Sequence, residues 1–377
     1  MNPNLLGGLE PQQFLDEYWQ KKPLLIRQAI PGFDGVIERD ALFDLACDPD
    51  VESRHICRRN GDWSLTRGPQ KRSNLKGRKH PWTVLVQGLN LWLPEGDTLL
   101  RQFDFIPQSR LDDLMVSYAV DGGGVGPHFD NYDVFLLQGM GRRRWRIGDQ
   151  RDRTLIPDLP LKILADFKPV HDWVLEPGDL LYLPPHWAHD GVAIGECMTY
   201  SIGFRSPTAQ ELGTEFLGWM QEHLALDGLY ADPDLRTQEN SAQISDTMLA
   251  RVEEMVARIR WQREDVRGFL GCYLTEPKPH VFFEPPDEAM DFDAFEAAIR
   301  RTGFHLDART LLLFSAERFF LNGEILEAPP QHVATLARLA HARRLCSDDV
   351  ATQGNGTLAE LLYELYCDGF GHPGERP

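Results

Sequence analysis

His128, Phe129 and Asp130 close the segment DGGGVGPHFD, and His189 follows in LPPHWAHDG, 59 residues after Asp130. Two imidazoles and one carboxylate can hold a divalent metal on one face and leave the opposite positions open. In an extended strand residues i and i+2 point to the same side, so His128 and Asp130 are expected to converge on one ion while Phe129 turns into packing. A third ligand so far along the chain must then come from another strand, which implies a barrel or sandwich folded around the metal.

A lone His-x-Asp is weak evidence in a chain with 12 histidines, since a surface turn explains it as well. The surroundings of the second site carry more. In HDWVLEPGDLLYLPPHWAHDGVAIGECMTYSIGFR a β run, the turn Glu176-Pro177-Gly178-Asp179, a second apolar run and a double proline deliver His189 ahead of another strand. His186 is the rival ligand. It follows Pro184-Pro185 directly, which favours an extended, surface-facing position, whereas His189 stands where the next strand begins. His171, before Trp173, reads as a loop or packing histidine.

PHFD, the basic strand GRRRWRIG, PGDLLYLPPHWAH and the opening FLDEYWQKKPLLIRQA together resemble the JmjC-type oxygenases that depend on Fe(II) and 2-oxoglutarate. Within that class the chain is similar to the bacterial ribosomal oxygenases, which hydroxylate an arginine of large-subunit ribosomal protein number sixteen. The resemblance runs from about Phe14 to Arg205, with the motifs in order. It implies an Fe(II) centre on His128, Asp130 and His189, with 2-oxoglutarate and dioxygen in the open positions.

A keto acid that chelates the metal sends its far carboxylate into the barrel, where a fixed cation would meet it in a charge-assisted pair. Alternation along GRRRWR places Arg143 and Trp145 on one face and Arg142, Arg144 and Arg146 on the other. An inward face with one arginine beside an aromatic is plausible. Three buried guanidiniums would each need a partner. Arg143 is therefore the expected contact, and it lies fifteen residues after His128, where the resembling family places its cosubstrate-binding basic residue. Ser117 in LMVSYAV and Thr199 in CMTYSIGF are hydroxyls inside apolar or aromatic runs and are expected to help, unless each bonds a backbone carbonyl instead. By resemblance, Thr199 sits where the family often has a polar cosubstrate contact.

Gly122-Gly123-Gly124 is not a phosphate loop, because no Lys followed by Ser or Thr comes after a spaced glycine and no helix follows. It reads as backbone that must stay thin where a substrate chain approaches. Asp121 would then stand at the rim, able to receive a guanidinium, with a simple turn-forming role as the competing explanation. Tyr132, Asp133 and Gln138 can line the same mouth.

With 39 Lys and Arg against 57 Asp and Glu, the formal charge is −18. An acidic surface attracts basic proteins and repels nucleic acid, which fits a ribosomal protein as substrate and argues against direct DNA binding, although the stretch from Lys71 to Lys79 runs the other way. The six cysteines show no CxxC pair, as in a reduced cytoplasmic protein. No signal peptide is apparent, and no run approaches the roughly 18 apolar residues of a membrane span.

The 377 residues suggest more than one domain. The pattern predicts a mixed α+β chain, and with the resemblance it implies a JmjC oxygenase domain at 1–206, built on a double-stranded β-helix of the cupin kind; a helical dimerisation segment at 207–282; and a winged-helix-like domain at 283–377. Helices are expected at Gln12–Gln20 and Ala242–Trp261, and Trp82, Leu85, Val86, Leu89 and Leu93 also repeat at helical spacing. Asn60-Gly61 and Asn322-Gly323 predict tight hairpins. The apolar stripe Met248, Val252, Met255, Val256, Ile259 suits pairing across a two-fold axis, and the resembling family dimerises through helices here, so a homodimer is expected. Two other functions compete with the protein hydroxylase: the same chemistry on modified RNA, and a metal-binding cupin without redox activity.

Overall fold

The structure, a computed structural model, describes residues 2, 4–77, 79–351 and 356–374. The chain packs into two compact units, Met1–Ser206 with Pro277–Thr310 and His341–Pro377, and Pro207–Glu276 with Leu311–Ala340. The C-terminal third of the sequence thus contributes to both.

The first unit is dominated by strands β1 (Leu24–Ile26), β2 (Ser53–Arg59), β3 (Asp62–Arg67), β4 (Trp82–Val86), β5 (Leu111–Ala119), β6 (Asp133–Gln138), β7 (Arg142–Gly148), β8 (His171–Leu175), β9 (Leu180–Leu183), β10 (Ala188–Ile194) and β11 (Cys197–Phe204). A large antiparallel sheet runs in the order β1-β9-β6-β11-β5-β4-β2-β3, and a small one in the order β10-β7-β8. The strand order in each sheet departs from chain order in the manner of the expected double-stranded β-helix.

The large sheet is covered on both faces, which is why its strands read as continuous apolar runs. Along β6, Phe135 and Leu137 join an outer core with Phe14, Phe103 and Tyr200. Their neighbours Val134 and Leu136 face inward to Trp145, Ile147 and Leu175 of the small sheet. The helix α1 (Pro11–Glu17) supplies Phe14 to that outer core, and Phe135→Ala there should cost about 3–5 kcal/mol.

Double coverage also corrects the helical reading of residues 82–93. Trp82–Val86 is strand β4, buried at every position, and a short 3-10 turn, Leu89–Leu91, follows. Trp82, Val84 and Val86 belong to the outer core while Thr83 and Leu85 line the interior, so apolar residues fall on both faces and the period of two is hidden. The two predicted hairpins form as read: Asn60 and Gly61 take φ of 53° and 96° between Arg59 and Asp62, and Asn322-Gly323 joins two strands in the same manner.

The second unit opens with α2 (Ala209–His223), started by a capping box between Thr208 and Glu211, and α3 (Asp246–Val256), capped by Ser245. A third helix, α4 (Arg263–Thr275), packs on the hairpin strands Leu312–Ser315, Arg318–Leu321 and Glu324–Leu326. Gly271 is required at that crossing, since a Cβ would lie 2.3 Å from the Phe320 ring. Helices at Phe292–Thr302, Val333–Ala342 and Thr357–Cys367, with the hairpin, supply the elements of the expected winged helix.

Candidate metal and cosubstrate site

His128, Asp130 and His189 offer ligand atoms that all lie within 4.8 Å of one another, the one such group of three among the described residues. The Nε2 of His128 is 3.7 Å from Asp130 Oδ1 and that of His189 is 3.4 Å from Oδ2. Ligands about 2.0–2.2 Å from a common ion have spacings of this order.

The expected strand at 128–130 is not formed. The segment is irregular, and a single antiparallel bridge joins His128 to His189, with N–H to O distances of 3.0 and 2.9 Å. That bridge brings the two imidazoles to 4.3 Å between ring centroids, their planes inclined at 60°, and the Asp130 carboxylate falls on the same side, within 4 Å of both Nε2 atoms. A second backbone bond, from the His186 amide to the Asp130 carbonyl at 3.0 Å, holds the two segments together. The His186 side chain itself is exposed at φ 71°, so it stays off the site.

Each ring is also fixed in one tautomer. His128 Nδ1 donates to the Gly126 carbonyl at 2.8 Å and His189 Nδ1 to the Trp187 carbonyl at 3.0 Å, so that in the neutral rings both Nε2 lone pairs are turned to an ion. Burial and the neighbouring His189 push His128 below the ordinary histidine range. Burial pushes in the same sense on His189, but the hydrogen bond its ring donates to the Asp130 carboxylate prevails and holds it above that range. Burial alone would raise Asp130; the two imidazoles and the Tyr132 hydroxyl outweigh it and hold the carboxyl at about 2.

A cavity of about 250 Å³ opens from these ligands, walled by Ser117, Leu136, Arg143 and Trp145 on the inside and by Arg54 and Tyr132 toward the mouth. The alternation read along the basic strand holds: Arg143 and Trp145 are buried, Arg142 and Arg144 exposed, and Arg146 half-buried. Two of the three outward arginines are paired, Arg144 with Asp172 at 2.5 Å and Arg146 with Asp190. Arg143, 6% exposed, donates from Nη1 to Ser117 Oγ at 3.1 Å, while its Nε and Nη2 and the Trp145 Nε1 are buried without an acceptor. Buried donors are almost always paired, so these three ask for an anionic partner in the cavity.

Thr199 faces the interior one strand over from Ser117, but its hydroxyl donates to Gln138 Oε1 at 3.0 Å and it is not among the cavity walls. Asp121 is a correction. It is exposed, accepts from the Gly195 amide at 2.8 Å and acts as a turn residue away from the mouth. The glycine run is thin for a different reason than expected, because a Cβ on Gly124 would lie 2.5 Å from the Gly191 carbonyl, so the neighbouring backbone demands it. Asp133 is fully buried and accepts from Tyr182 at 2.6 Å, outside the mouth.

The acidic side of the mouth lies where the sequence reading did not look. A second cavity of about 280 Å³ shares Arg54 and Tyr132 with the first and is lined by Glu52, Asp112 and Asp113 together with Lys278. Asp113 accepts from the Gly88 amide at 3.0 Å, and Lys278 reaches Asp112 at 3.1 Å and Asp113 at 3.5 Å. Burial raises the Asp113 carboxyl although Lys278 opposes it.

Family models match the chain twice, as a JmjC domain at residues 98–212 and as a ROXA-like winged helix at 258–371. The ribosomal protein uL16 3-hydroxylase of Escherichia coli is 33% identical over 318 residues, 84% of this chain and 85% of that protein. A probable ribosomal oxygenase of Haemophilus influenzae is 40% identical over 240 residues, 61% of this chain and 56% of that one. The crystal structure of E. coli YcfD superposes with a TM-score of 0.84 at 31% identity, covering 96% of this chain and 98% of that one. A structure of the same ribosomal oxygenase with cobalt and 2-oxoglutarate superposes with a TM-score of 0.82 at 30% identity, over 96% and 98% of the two chains.

Proposed function

This chain belongs to the JmjC-domain ribosomal oxygenases, and from that premise we propose that it hydroxylates an arginine side chain of large-subunit ribosomal protein number sixteen. It is a 2-oxoglutarate-dependent oxygenase of the Fe(II) class. His128, Asp130 and His189 are the residues that hold the iron, a two-histidine, one-carboxylate donor set of the kind non-haem Fe(II) oxygenases use. When bound, iron with 2-oxoglutarate and dioxygen supplies an oxidant that converts a substrate C–H into C–OH as the keto acid becomes succinate and carbon dioxide.

The rest is the work of the protein's own side chains. Arg143 receives the far carboxylate of 2-oxoglutarate through its two free nitrogens, and Ser117 fixes the guanidinium from behind. Thr199, through Gln138, braces the strand beside Ser117. Leu136, Val134 and Trp145 keep water from the reacting centre. Tyr132 stands at the junction of the two cavities, and the outer one sets Glu52, Asp112 and Asp113 against Arg54 and Lys278, which leaves one carboxylate in excess to meet a guanidinium. Asp121 has no part in it.

The observation that carries this reading is the buried, half-satisfied Arg143 in the cavity that the three ligands open. Incubation with Fe(II), 2-oxoglutarate and isolated ribosomal proteins, followed by mass spectrometry, should show one added oxygen on an arginine of protein sixteen. An added oxygen on another protein only, or on RNA only, overturns the substrate assignment.

We place the enzyme in the cytoplasm; among the described residues no helix is long and apolar enough to cross a membrane. The division at residues 206 and 282 is proposed with it, as is a homodimer through the helical segment. On α3, Met248, Leu249, Val252 and Val256 are all more than a third exposed, an apolar stripe that a second copy would cover.

A further inference from the structure

The charge of this chain is segregated. Residues 53–80 hold nine Lys and Arg against Asp62 alone, in a protein whose formal charge is −18. Strands β2 and β3, the last two of the large sheet, and the loop after them carry this segment, with β3 as the open edge.

The register shows where it faces. Arg54 pairs with Arg67, Ile56 with Leu65 and Arg58 with Trp63, so these six side chains share one face of the two-stranded ribbon. Arg54 and Ile56 line the active-site cavity, which makes that face a continuation of its wall. Trp63 marks the junction, since a Cβ on Gly126, whose carbonyl orients His128, would lie 3.3 Å from the indole. Beyond the junction Arg58, Arg67, Lys71 and Lys76 are exposed, and none of the four has a carboxylate partner among the described residues. Arg58 lies 5.3 Å over the Trp63 ring, a pairing of cation and aromatic surface.

A solubility role would be served as well by the acids that cover the rest of the molecule. A basic ribosomal protein cannot dock on this strip either, because like charges oppose it. The polyanion that accompanies such a substrate is RNA, and exposed cations interleaved with a half-buried indole are the components of a single-strand binding surface. We propose that the β2–β3 ribbon and the loop to residue 80 bind the phosphodiester backbone of single-stranded RNA beside the active-site mouth. The choice of RNA over another polyanion rests on the ribosomal-protein substrate proposed above. The binding test uses no turnover, so its failure leaves that reading standing.

The experiment is fluorescence anisotropy of the full chain with a fluorescein-labelled single-stranded RNA over a salt series. The comparison variant is Arg58→Glu/Arg67→Glu/Lys71→Glu, with circular dichroism and substrate-free 2-oxoglutarate turnover as checks that it is folded. For three lost phosphate contacts the slope of log affinity against log salt should fall by about 2, with affinity down at least roughly tenfold at low salt. Poly-glutamate of matched charge should compete poorly, because it has no bases to stack. The proposal is overturned by wild-type protein that does not bind the RNA at low salt, by a folded triple variant that binds as well as wild type, or by poly-glutamate that competes as strongly as unlabelled RNA. Should the triple variant fail to fold, the single variants Arg67→Gln and Lys71→Gln take its place, each with an expected slope change of about 0.7.

Discussion

The floor of the barrel and the helix α3 are both incomplete, in opposite currencies. At the floor, backbone, rings and Ser117 are all tied by hydrogen bonds, and what is left over is polar: two guanidinium nitrogens and an indole N–H without acceptors. On α3 no residue is buried and what is left over is apolar, Met248, Leu249, Val252 and Val256 open to water. An unanswered donor in a dry place points to a small anion of fixed geometry. An unanswered apolar stripe on the surface points to a second surface, with far looser demands on shape. The first kind of deficit names its ligand, the second only its character.

The comparison breaks soonest at the metal ligands. Asp130→Ala removes the carboxylate that both imidazoles face, and turnover of 2-oxoglutarate should fall to background while circular dichroism stays near wild type; substantial succinate from that variant would refute the ligand set. Arg143→Leu comes next. Losing charge-assisted bonds worth about 1.5–3 kcal/mol should raise KM for 2-oxoglutarate roughly tenfold to a hundredfold. Removing unpaired buried nitrogens should at the same time leave Tm unchanged or higher in the absence of cosubstrate, a sign that a purely structural arginine would reverse. At the helix, Leu249→Glu/Val252→Glu should turn a dimer into a monomer on sedimentation at micromolar concentration, with little change in basal turnover. Wild-type protein that sediments as monomer would remove the dimer altogether.

The smallest effect is a pH dependence at the floor. Asp130 holds His189 above the ordinary histidine range, so its proton is retained to higher pH and an incoming ion must displace it. Protons and metal compete, and affinity should therefore weaken as pH falls toward and through the ordinary histidine value near 6.5, with the onset above it because His189 is held up. A cobalt titration followed by absorbance at several pH values checks the sign; affinity that rises on acidification contradicts it.

Legibility followed the same division. The cluster of candidate ligands was readable because a motif of fixed spacing, His128-Phe129-Asp130, met a turn-rich delivery of His189, even though a backbone bridge rather than a strand does the placing. Arg143 was readable because an interior face tolerates one guanidinium and the strand offered only one arginine alone on a face. Asp113 was missed, yet counting back by twos from Ser117 through Met115 along β5 leads to it. Lys278 carries no such signal, since it meets Asp112 and Asp113 only through the tertiary fold. Trp82–Val86 was misread because burial on both faces erases the alternation that distinguishes strand from helix. Asp121 was placed at the rim on the strength of glycines whose thinness serves the neighbouring Gly191 backbone instead.

The paired amides and carbonyls of His128 and His189 carry one last implication. Main-chain pairing shapes the proposed iron pocket, so it has little means of choosing among divalent ions, and nickel, copper and zinc all outrank ferrous iron in intrinsic affinity for nitrogen and oxygen donors. Correct loading is thus delegated to the supply of free metal around the protein, and an excess of zinc would mute the enzyme while leaving its shape intact.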